Sequence, residues 1–157
     1  SMRQLKDYRV LRPGFKYNMM DIQAAMGLKQ LAKIERYLKI RENIWRAYDQ
    51  VFESLPVWTP LPPESGTRHA RHLYTLLLDL DHLRKNRDGI RKLLLAQGIG
   101  TGVHFIALHL HPFYQRVFGY RRGDFPTAEW ISERTISLPL SAKLTSREVS
   151  RVTTTVR

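Results

Sequence analysis

The sequence predicts a two-layer α+β fold of the α/β class, with a long N-terminal helix and a small sheet that has helices on one side. Three observations predict it. Apolar residues recur at helical spacing from residue 22 to residue 55. A compact apolar run at residues 73–80 is typical of a buried strand. Helix and strand signals then alternate along the rest of the chain, as they do in small sheets covered by helices.

The domain organisation follows from where this periodicity begins. Residues 1–20 are predicted to be an irregular lead-in, and residues 21–157 a domain. Within that domain we expect one long helix at 21–55 and a small α/β domain at 68–157. Gly27 weakens the long helix, so two helices that meet at an angle are the alternative.

The small domain has a start or stop signal for most of its predicted elements. They are a strand at 73–80, a helix that opens at Asn86 or Asp88 and closes at Gly98, a strand at 101–105, a helix from Pro126, a strand at 135–140, and a helix behind a capping box at 145–148. The aromatic segment at 109–120 has no assignment.

Composition excludes several classes of protein. The chain has 157 residues and no cysteine, so disulfide scaffolds, cysteine-ligated zinc and cysteine nucleophiles are ruled out. No apolar run approaches the roughly 20 residues that span a membrane, and we expect a cytoplasmic protein without a membrane partner. The net charge of +12 is compatible with anionic partners, but the basic residues are dispersed and form no long block, which favours solvated faces.

Few side chains form a recognisable catalytic or metal-binding pattern. His104, His109 and His111 are close in sequence, but no HExxH pattern or fixed third ligand accompanies them, so no metal is expected. We expect Arg134 to pair with a carboxylate such as Glu129. No GxSxG elbow, phosphate-binding glycine loop or nucleic-acid reader motif is present.

Four stretches nevertheless resemble one family when they are taken in order. They are residues 13–28 (PGFKYNMMDIQAAMGL), 98–105 (GIGTGVHF), 125–129 (FPTAE) and 134–140 (RTISLPL). Together they resemble the nucleotide-sugar aminotransferases of the DegT/DnrJ type, which depend on pyridoxal 5'-phosphate (PLP). The first two stretches are most similar to the branch that makes 4-amino-4-deoxy-L-arabinose on a UDP carrier.

The resemblance implies the small C-terminal domain of a fold-type I PLP aminotransferase, which works as a homodimer with shared active sites. The position that matches Asn18 reaches the PLP phosphate of the neighbouring subunit in this family, so Asn18 is the candidate cofactor-binding residue. A side-chain amide can donate to a phosphate oxygen. The alternative role for Asn18 is to cap the helix that begins at Asp21.

The resemblance also implies a set of substrate-binding residues. Lys16 and Tyr17 adjoin Asn18, and His104 and Phe105 match the substrate side of the family site. We expect these residues to contact the nucleotide sugar, with Lys16 near its diphosphate. The alternatives are a solvated Lys16 and a buried, hydrogen-bonded His104.

The implied parent function is transfer of an amino group from glutamate to a nucleotide-linked keto-sugar, in the biosynthesis of cell-surface polysaccharide, lipid A or antibiotic sugars. Such catalysis needs a lysine that forms a Schiff base with PLP, and in the family this lysine lies upstream of the segment that matches 13–28. Lys6 is the sole lysine before Pro13 and lacks that context. We therefore assign no catalytic residue, and expect the chain alone to be inactive and not to bind PLP. The alternative function is a basic module that binds nucleic acid or another polyanion.

Overall fold

The computed structural model describes residues 12–157. These residues belong to two compact units, which divide between Ile34 and Glu35. The predicted lead-in at 1–20 is described only from Arg12, and its first eleven residues lie outside the described part of the chain. No helix within residues 12–157 is both long enough and apolar enough to cross a membrane.

The first unit contains an extended stretch and one helix. Residues 12–20 form no helix or strand, and helix α1 follows at Asp21–Leu31. Met20 is the N-cap residue, and its backbone N–H donates to Oε1 of Gln23 over 3.0 Å. Asp21 is therefore an acidic residue of the first turn, where its negative charge interacts favourably with the positive end of the helix dipole.

The predicted long helix is interrupted. Helix α2 covers Ile34–Phe52, and a turn at Ala32 and Lys33 separates it from α1. The backbone N–H of Lys33 donates to the carbonyl oxygen of Gln30, three residues back, which is the tighter bond of a 3₁₀ turn. The single helix at 21–55 is thus wrong: two helices are present, the break falls after α1, and Gly27 stays helical.

The second unit is built on a three-stranded antiparallel sheet in the order β1-β2-β3. The strands are β1 at Val57–Trp58, β2 at Tyr74–Leu78 and β3 at Thr135–Leu138. Leu76 pairs with Ile136 across β2 and β3, and Val57 pairs with Leu78 across β1 and β2. The strands predicted at 73–80 and 135–140 are confirmed in shorter form, whereas β1 had no sequence signal.

Three later helices of this unit begin and end largely where the sequence predicts: α3 at Arg87–Ala96, α5 at Pro126–Arg134 and α6 at Ser146–Val156. The aromatic segment that had no assignment forms a 3₁₀ turn at Leu108–Leu110 and helix α4 at Pro112–Phe118. The Asn86 side chain caps α3 by accepting from the N–H of Gly89 over 2.9 Å. Thr145 and Glu148 form the predicted capping box of α6.

The core lies between α2 and the sheet, and its centre is aromatic. Tyr74 of β2 is fully buried, and its ring centroid lies 4.7 Å from that of Trp45 and 5.0 Å from that of Tyr48. Its hydroxyl donates to Asp49 of α2 over 2.7 Å, and the Tyr48 hydroxyl donates to the carbonyl oxygen of Pro139 over 2.7 Å. Burial raises the pKa of Tyr48 to about 12. Trp45, Tyr48 and Tyr74 therefore bind α2 to the sheet.

The opposite face of the sheet is also covered, which extends the predicted arrangement with helices on one side. Trp58 of β1 contacts Trp130 of α5, with ring centroids 5.3 Å apart.

The predicted strand at 101–105 is wrong. Only Gly102 pairs there, in an isolated antiparallel bridge to Ser137 at the free edge of β3.

We expect Leu76→Ala to lower the free energy of unfolding by about 2–5 kcal/mol, because Leu76 is fully buried at the centre of the sheet. Leu93→Ala is the matched control. That leucine is 53% exposed on α3, and its replacement is expected to change stability by less than about 0.5 kcal/mol. Urea denaturation of both variants measures the difference. Equal losses in the two would contradict this description of the core.

Candidate functional site

The cofactor-binding candidate lies in the extended stretch before α1. The side chains of Lys16, Tyr17 and Asn18 are exposed, and the rings of Phe15 and Tyr17 lie 5.8 Å apart. Asn18 does not cap α1, since Met20 occupies the N-cap position and its backbone N–H donates to the Gln23 side chain. The capping alternative for Asn18 is therefore wrong. Its amide is not used to start the helix.

The substrate-binding candidate His104 lies in the second unit, where the edge of β3 fixes its position. Gly102 and Ser137 exchange two backbone hydrogen bonds of 3.0 and 2.9 Å. The Ser137 hydroxyl then forms a 2.8 Å hydrogen bond with Nδ1 of the half-buried His104. The position of the imidazole is therefore fixed in two ways: Gly102 holds the backbone before it, and the Ser137 hydroxyl holds one ring nitrogen.

Gly102 is required for this arrangement because the imidazole packs directly over its α-carbon. A Cβ atom at position 102 would lie 2.6 Å from Cε1 of His104, closer than side-chain carbons approach one another. The second glycine of the GTG stretch at 100–102 therefore has a local physical reason. It makes room for the ring that follows two residues later.

Phe105 lies beside His104 and faces outwards. The two rings contact edge to face with centroids 4.9 Å apart, and Phe105 is 72% exposed. Two residues further on, the backbone N–H of Ala107 donates to the buried Ser132 hydroxyl over 2.9 Å. The chain is thus anchored on both sides of an exposed aromatic ring.

A buried hydrogen bond between His109 and Glu129, which the sequence did not predict, fixes the next part of this segment. His109 is 5% exposed and Glu129 is 7% exposed, and Nε2 of His109 lies 2.8 Å from Oε1 of Glu129. The N–H of Gly123 donates to the same oxygen over 2.7 Å. The hydrogen bonds from His109 and Gly123 hold the pKa of Glu129 below its usual value.

Glu129 therefore joins three separate pieces of chain: the 3₁₀ turn, the loop after α4, and α5. Its second carboxylate oxygen lies 3.6 Å from the guanidinium of Arg122. The FPTAE stretch was the one available sequence signal for this role, but spacing alone could not show that its glutamate meets a histidine twenty residues earlier.

Arg134 does not pair with Glu129, so that prediction is wrong. Its guanidinium lies 4.4 Å from the ring centroid of Trp130 and donates to the Trp130 carbonyl oxygen. In place of the predicted pair with Glu129, Arg134 makes a cation–π contact with Trp130, one helical turn earlier on α5.

The structure brings some of the predicted residues together. His104 contacts Phe105, whereas Lys16, Tyr17 and Asn18 belong to the other compact unit. His109 binds a carboxylate. In the part of the chain that the structure describes, no three histidine or acidic side chains come together as metal ligands.

We expect the Glu129 pair to make stability depend on pH. A carboxyl group whose pKa is lowered by folding stabilises the folded state above its unfolded pKa, about 4.5, and loses that contribution as pH falls through the folded value. The free energy of unfolding should therefore fall between pH 5 and pH 2, and Glu129→Gln should reduce that fall.

Urea denaturation at a series of pH values measures this effect. The control is Glu53→Gln, because Glu53 is an exposed acid just after α2 and should leave the pH dependence as it is. A Glu129→Gln variant with the full pH dependence of the parent chain would show that the Glu129 carboxylate and its hydrogen bonds do not stabilise the fold.

The comparisons with known proteins agree on one family. The model of the DegT/DnrJ/EryC1/StrS aminotransferase family matches residues 1–157. The uncharacterised protein MJ1066 of Methanocaldococcus jannaschii is 47% identical over 150 residues, which cover 96% of this chain and 39% of that protein. SpsC of Bacillus subtilis, a spore coat polysaccharide biosynthesis protein, is 43% identical over 152 residues, again 96% of this chain and 39% of that protein.

A solved structure gives the same result. The PLP-form of Spr1654 from Streptococcus pneumoniae, assigned as a sugar aminotransferase, matches with a TM-score of 0.84 at 30% identity. The match covers 95% of this chain and 38% of that one, so the fold is that of the corresponding part of Spr1654. The chain spans about two-fifths of the length of the curated relatives it matches. As the four sequence motifs predict, the chain belongs to the DegT/DnrJ/EryC1/StrS aminotransferase family.

Proposed function

We propose that the chain is the C-terminal part of a PLP-dependent aminotransferase that transfers an amino group from glutamate to a keto-sugar carried on a nucleotide. The observation that carries this proposal is the held imidazole of His104 beside the exposed ring of Phe105, in a chain that the family model matches throughout. In the parent protein, residues 1–20 lead in from a lysine-bearing domain and residues 21–157 form the C-terminal domain. Because SpsC is a spore coat polysaccharide biosynthesis protein, the biosynthesis of cell-surface polysaccharide is the first pathway class to test.

The cofactor-binding role of Asn18 has support from its surroundings. When bound, PLP supplies the electron sink for amino transfer, and its phosphate needs hydrogen-bond donors. The exposed Asn18 amide is such a donor and does not cap α1. We assign Asn18 to the PLP phosphate of the neighbouring subunit in a homodimer.

The four substrate-binding residues divide by chemistry. The imidazole of His104 uses Nδ1 to bind Ser137, so we assign its other nitrogen, Nε2, to a sugar hydroxyl. The exposed Phe105 ring gives this part of the site its shape and excludes water. Lys16 and Tyr17 supply a positive charge and a hydroxyl beside Asn18, and we assign them to the diphosphate.

The catalytic lysine is assigned to a part of the parent protein other than this chain. No lysine of the chain stands in the sequence context of the family lysine, and Lys16, the lysine nearest Asn18, has the diphosphate role. We therefore propose that the 157-residue chain alone neither binds PLP tightly nor transfers amino groups.

A chimera tests the proposed function. The chain replaces the matching C-terminal part of SpsC, with which it shares 43% identity. Incubated with PLP and glutamate, the folded chimera is expected to release 2-oxoglutarate, about one equivalent per site before a keto-sugar is added, whereas the chain alone releases none. A chimera that melts cooperatively, forms dimers and releases no 2-oxoglutarate would contradict the function. Release by the chain alone would contradict the assignment of the lysine.

Asn18→Ala in the same chimera tests the cofactor contact. Loss of a hydrogen bond to a charged phosphate is expected to weaken PLP binding about 10- to 100-fold, from roughly 1.5–3 kcal/mol. Equilibrium dialysis of PLP measures it. Gln30→Ala is the control, because Gln30 is an exposed amide on α1 that has no assigned role. Equal PLP affinity in the two variants would remove Asn18 from the site.

A further inference from the structure

Ser137 is a polar residue in a buried part of β3, where its hydroxyl meets the imidazole of His104. Its side chain is one of the few polar groups buried in the second unit, and the residue is 4% exposed. Its neighbours Ile136 and Leu138 belong to the apolar core, and successive side chains of a strand point to opposite faces. The Ser137 hydroxyl therefore points away from that core. A buried hydroxyl costs free energy unless it is hydrogen-bonded, so its partners decide what it does.

The polar groups of Ser137 are all used by the segment that carries His104. Its backbone N–H donates to the carbonyl oxygen of Gly102 over 2.9 Å, and its carbonyl oxygen accepts from the Gly102 N–H over 3.0 Å. Its hydroxyl oxygen lies 2.8 Å from Nδ1 of His104. Within residues 12–157 the hydroxyl has no second hydrogen-bond partner.

The hydrogen bond between Ser137 and His104 has two possible directions, because a hydroxyl and a neutral imidazole can each donate or accept. If Nδ1 carried the ring proton and donated it, the Ser137 hydroxyl proton would be left without an acceptor in a buried site, which is costly. If the hydroxyl donates to Nδ1, both groups are satisfied and the ring proton lies on Nε2. The burial of Ser137 therefore favours the second direction.

The other ring nitrogen of His104 faces solvent. Nε2 has no hydrogen-bond partner within residues 12–157, and it is not among the nitrogen atoms that are both buried and unpartnered. When Nε2 carries the ring proton, it can only donate. Its partner must then offer an oxygen lone pair, as keto and hydroxyl oxygens do. An ammonium group, which only donates, cannot take that place.

We propose that Ser137 is a positioning residue that keeps His104 in the Nε2–H tautomer, so that the imidazole donates to an oxygen acceptor of the ligand. The inference rests on the proposed function, which places a nucleotide-linked keto-sugar at His104, and adds the direction of that hydrogen bond. Ser137 acts through His104 and does not contact the sugar. Gly102 contributes space, because a Cβ atom at this position would displace the ring from the hydroxyl.

Heteronuclear NMR of the imidazole nitrogens tests the proposal on the 157-residue chain. Protonated and unprotonated ring nitrogens have well-separated resonances, so the spectrum reports the tautomer directly. The chain is labelled at histidine and measured at about pH 8.5, where a histidine is ordinarily neutral. The His104 resonances are those that His104→Gln removes. We expect an unprotonated Nδ1 and a protonated Nε2.

Ser137→Thr and Ser137→Val separate the hydroxyl from side-chain shape, since threonine and valine differ by a hydroxyl in place of a methyl group. Ser137→Thr should keep the tautomer of the parent chain. Ser137→Val should shift the tautomer ratio about fivefold towards Nδ1–H, which corresponds to one hydrogen bond of roughly 1 kcal/mol. Ser137→Ala adds no volume and should give the same shift, so the test survives if valine does not fit.

Two controls show that the shift is local. Ser150→Val changes an exposed serine on α6 and should leave the His104 tautomer as it is. The resonances of His109, whose Nε2 is bound to Glu129, should stay unchanged in every Ser137 variant. Circular dichroism of each variant shows that the fold is kept.

Two results would overturn the proposal: a His104 that is protonated on Nδ1 in the parent chain, or an unchanged tautomer ratio in folded Ser137→Ala. The SpsC chimera separates this proposal from the proposed function, because the tautomer is measured without PLP or sugar. An active chimera with the Nδ1–H tautomer overturns the role of Ser137 alone. An inactive chimera with a hydroxyl-dependent Nε2–H tautomer overturns the proposed function alone.

Discussion

The contact of Tyr74 with helix α2 is the interaction on which the second unit depends. Its ring packs on Trp45 and Tyr48, and its hydroxyl donates to Asp49, so one residue of the central strand meets α2 by both apolar and polar contacts. Burial and, after it, the Asp49 carboxylate raise the pKa of Tyr74, which keeps the hydroxyl protonated as a donor. Because β2 is the central strand, this contact also fixes β3, whose free edge holds the His104 segment.

From that edge, three anchors fix the course of residues 102–109. Gly102 and Ser137 exchange backbone hydrogen bonds, Ser132 holds the chain at Ala107, and Glu129 holds it at His109. These hydrogen bonds fix the conformation of the irregular backbone at 102–109, although it forms no strand and no long helix. Between and after these anchors the aromatic rings stay exposed, which is the combination of rigid support and accessible surface that a binding site needs.

How much the sequence could predict differs between elements for physical reasons. Helix α6 was predictable because its capping box is a local pattern of two residues three positions apart. The segment at 101–105 was not, since its alternating residues look like a strand while its pairing stops after Gly102, where the imidazole of His104 folds back over the backbone. The partners of Glu129 and Arg134 depend on tertiary contacts, and one-dimensional spacing does not contain them. The family motifs supplied candidates for the site, but the anchors beneath His104 came only from the fold.

We propose that the chain supplies half of a shared active site, in which Asn18 binds the cofactor and His104 faces the sugar. A crystal structure of the SpsC chimera with bound PLP and a nucleotide sugar tests this most directly. We predict that the Asn18 side-chain nitrogen lies about 3 Å from a phosphate oxygen of PLP held by the neighbouring subunit, and that Nε2 of His104 faces the sugar. A PLP phosphate whose donors all come from other residues, or a His104 turned away from the ligand, would contradict the account.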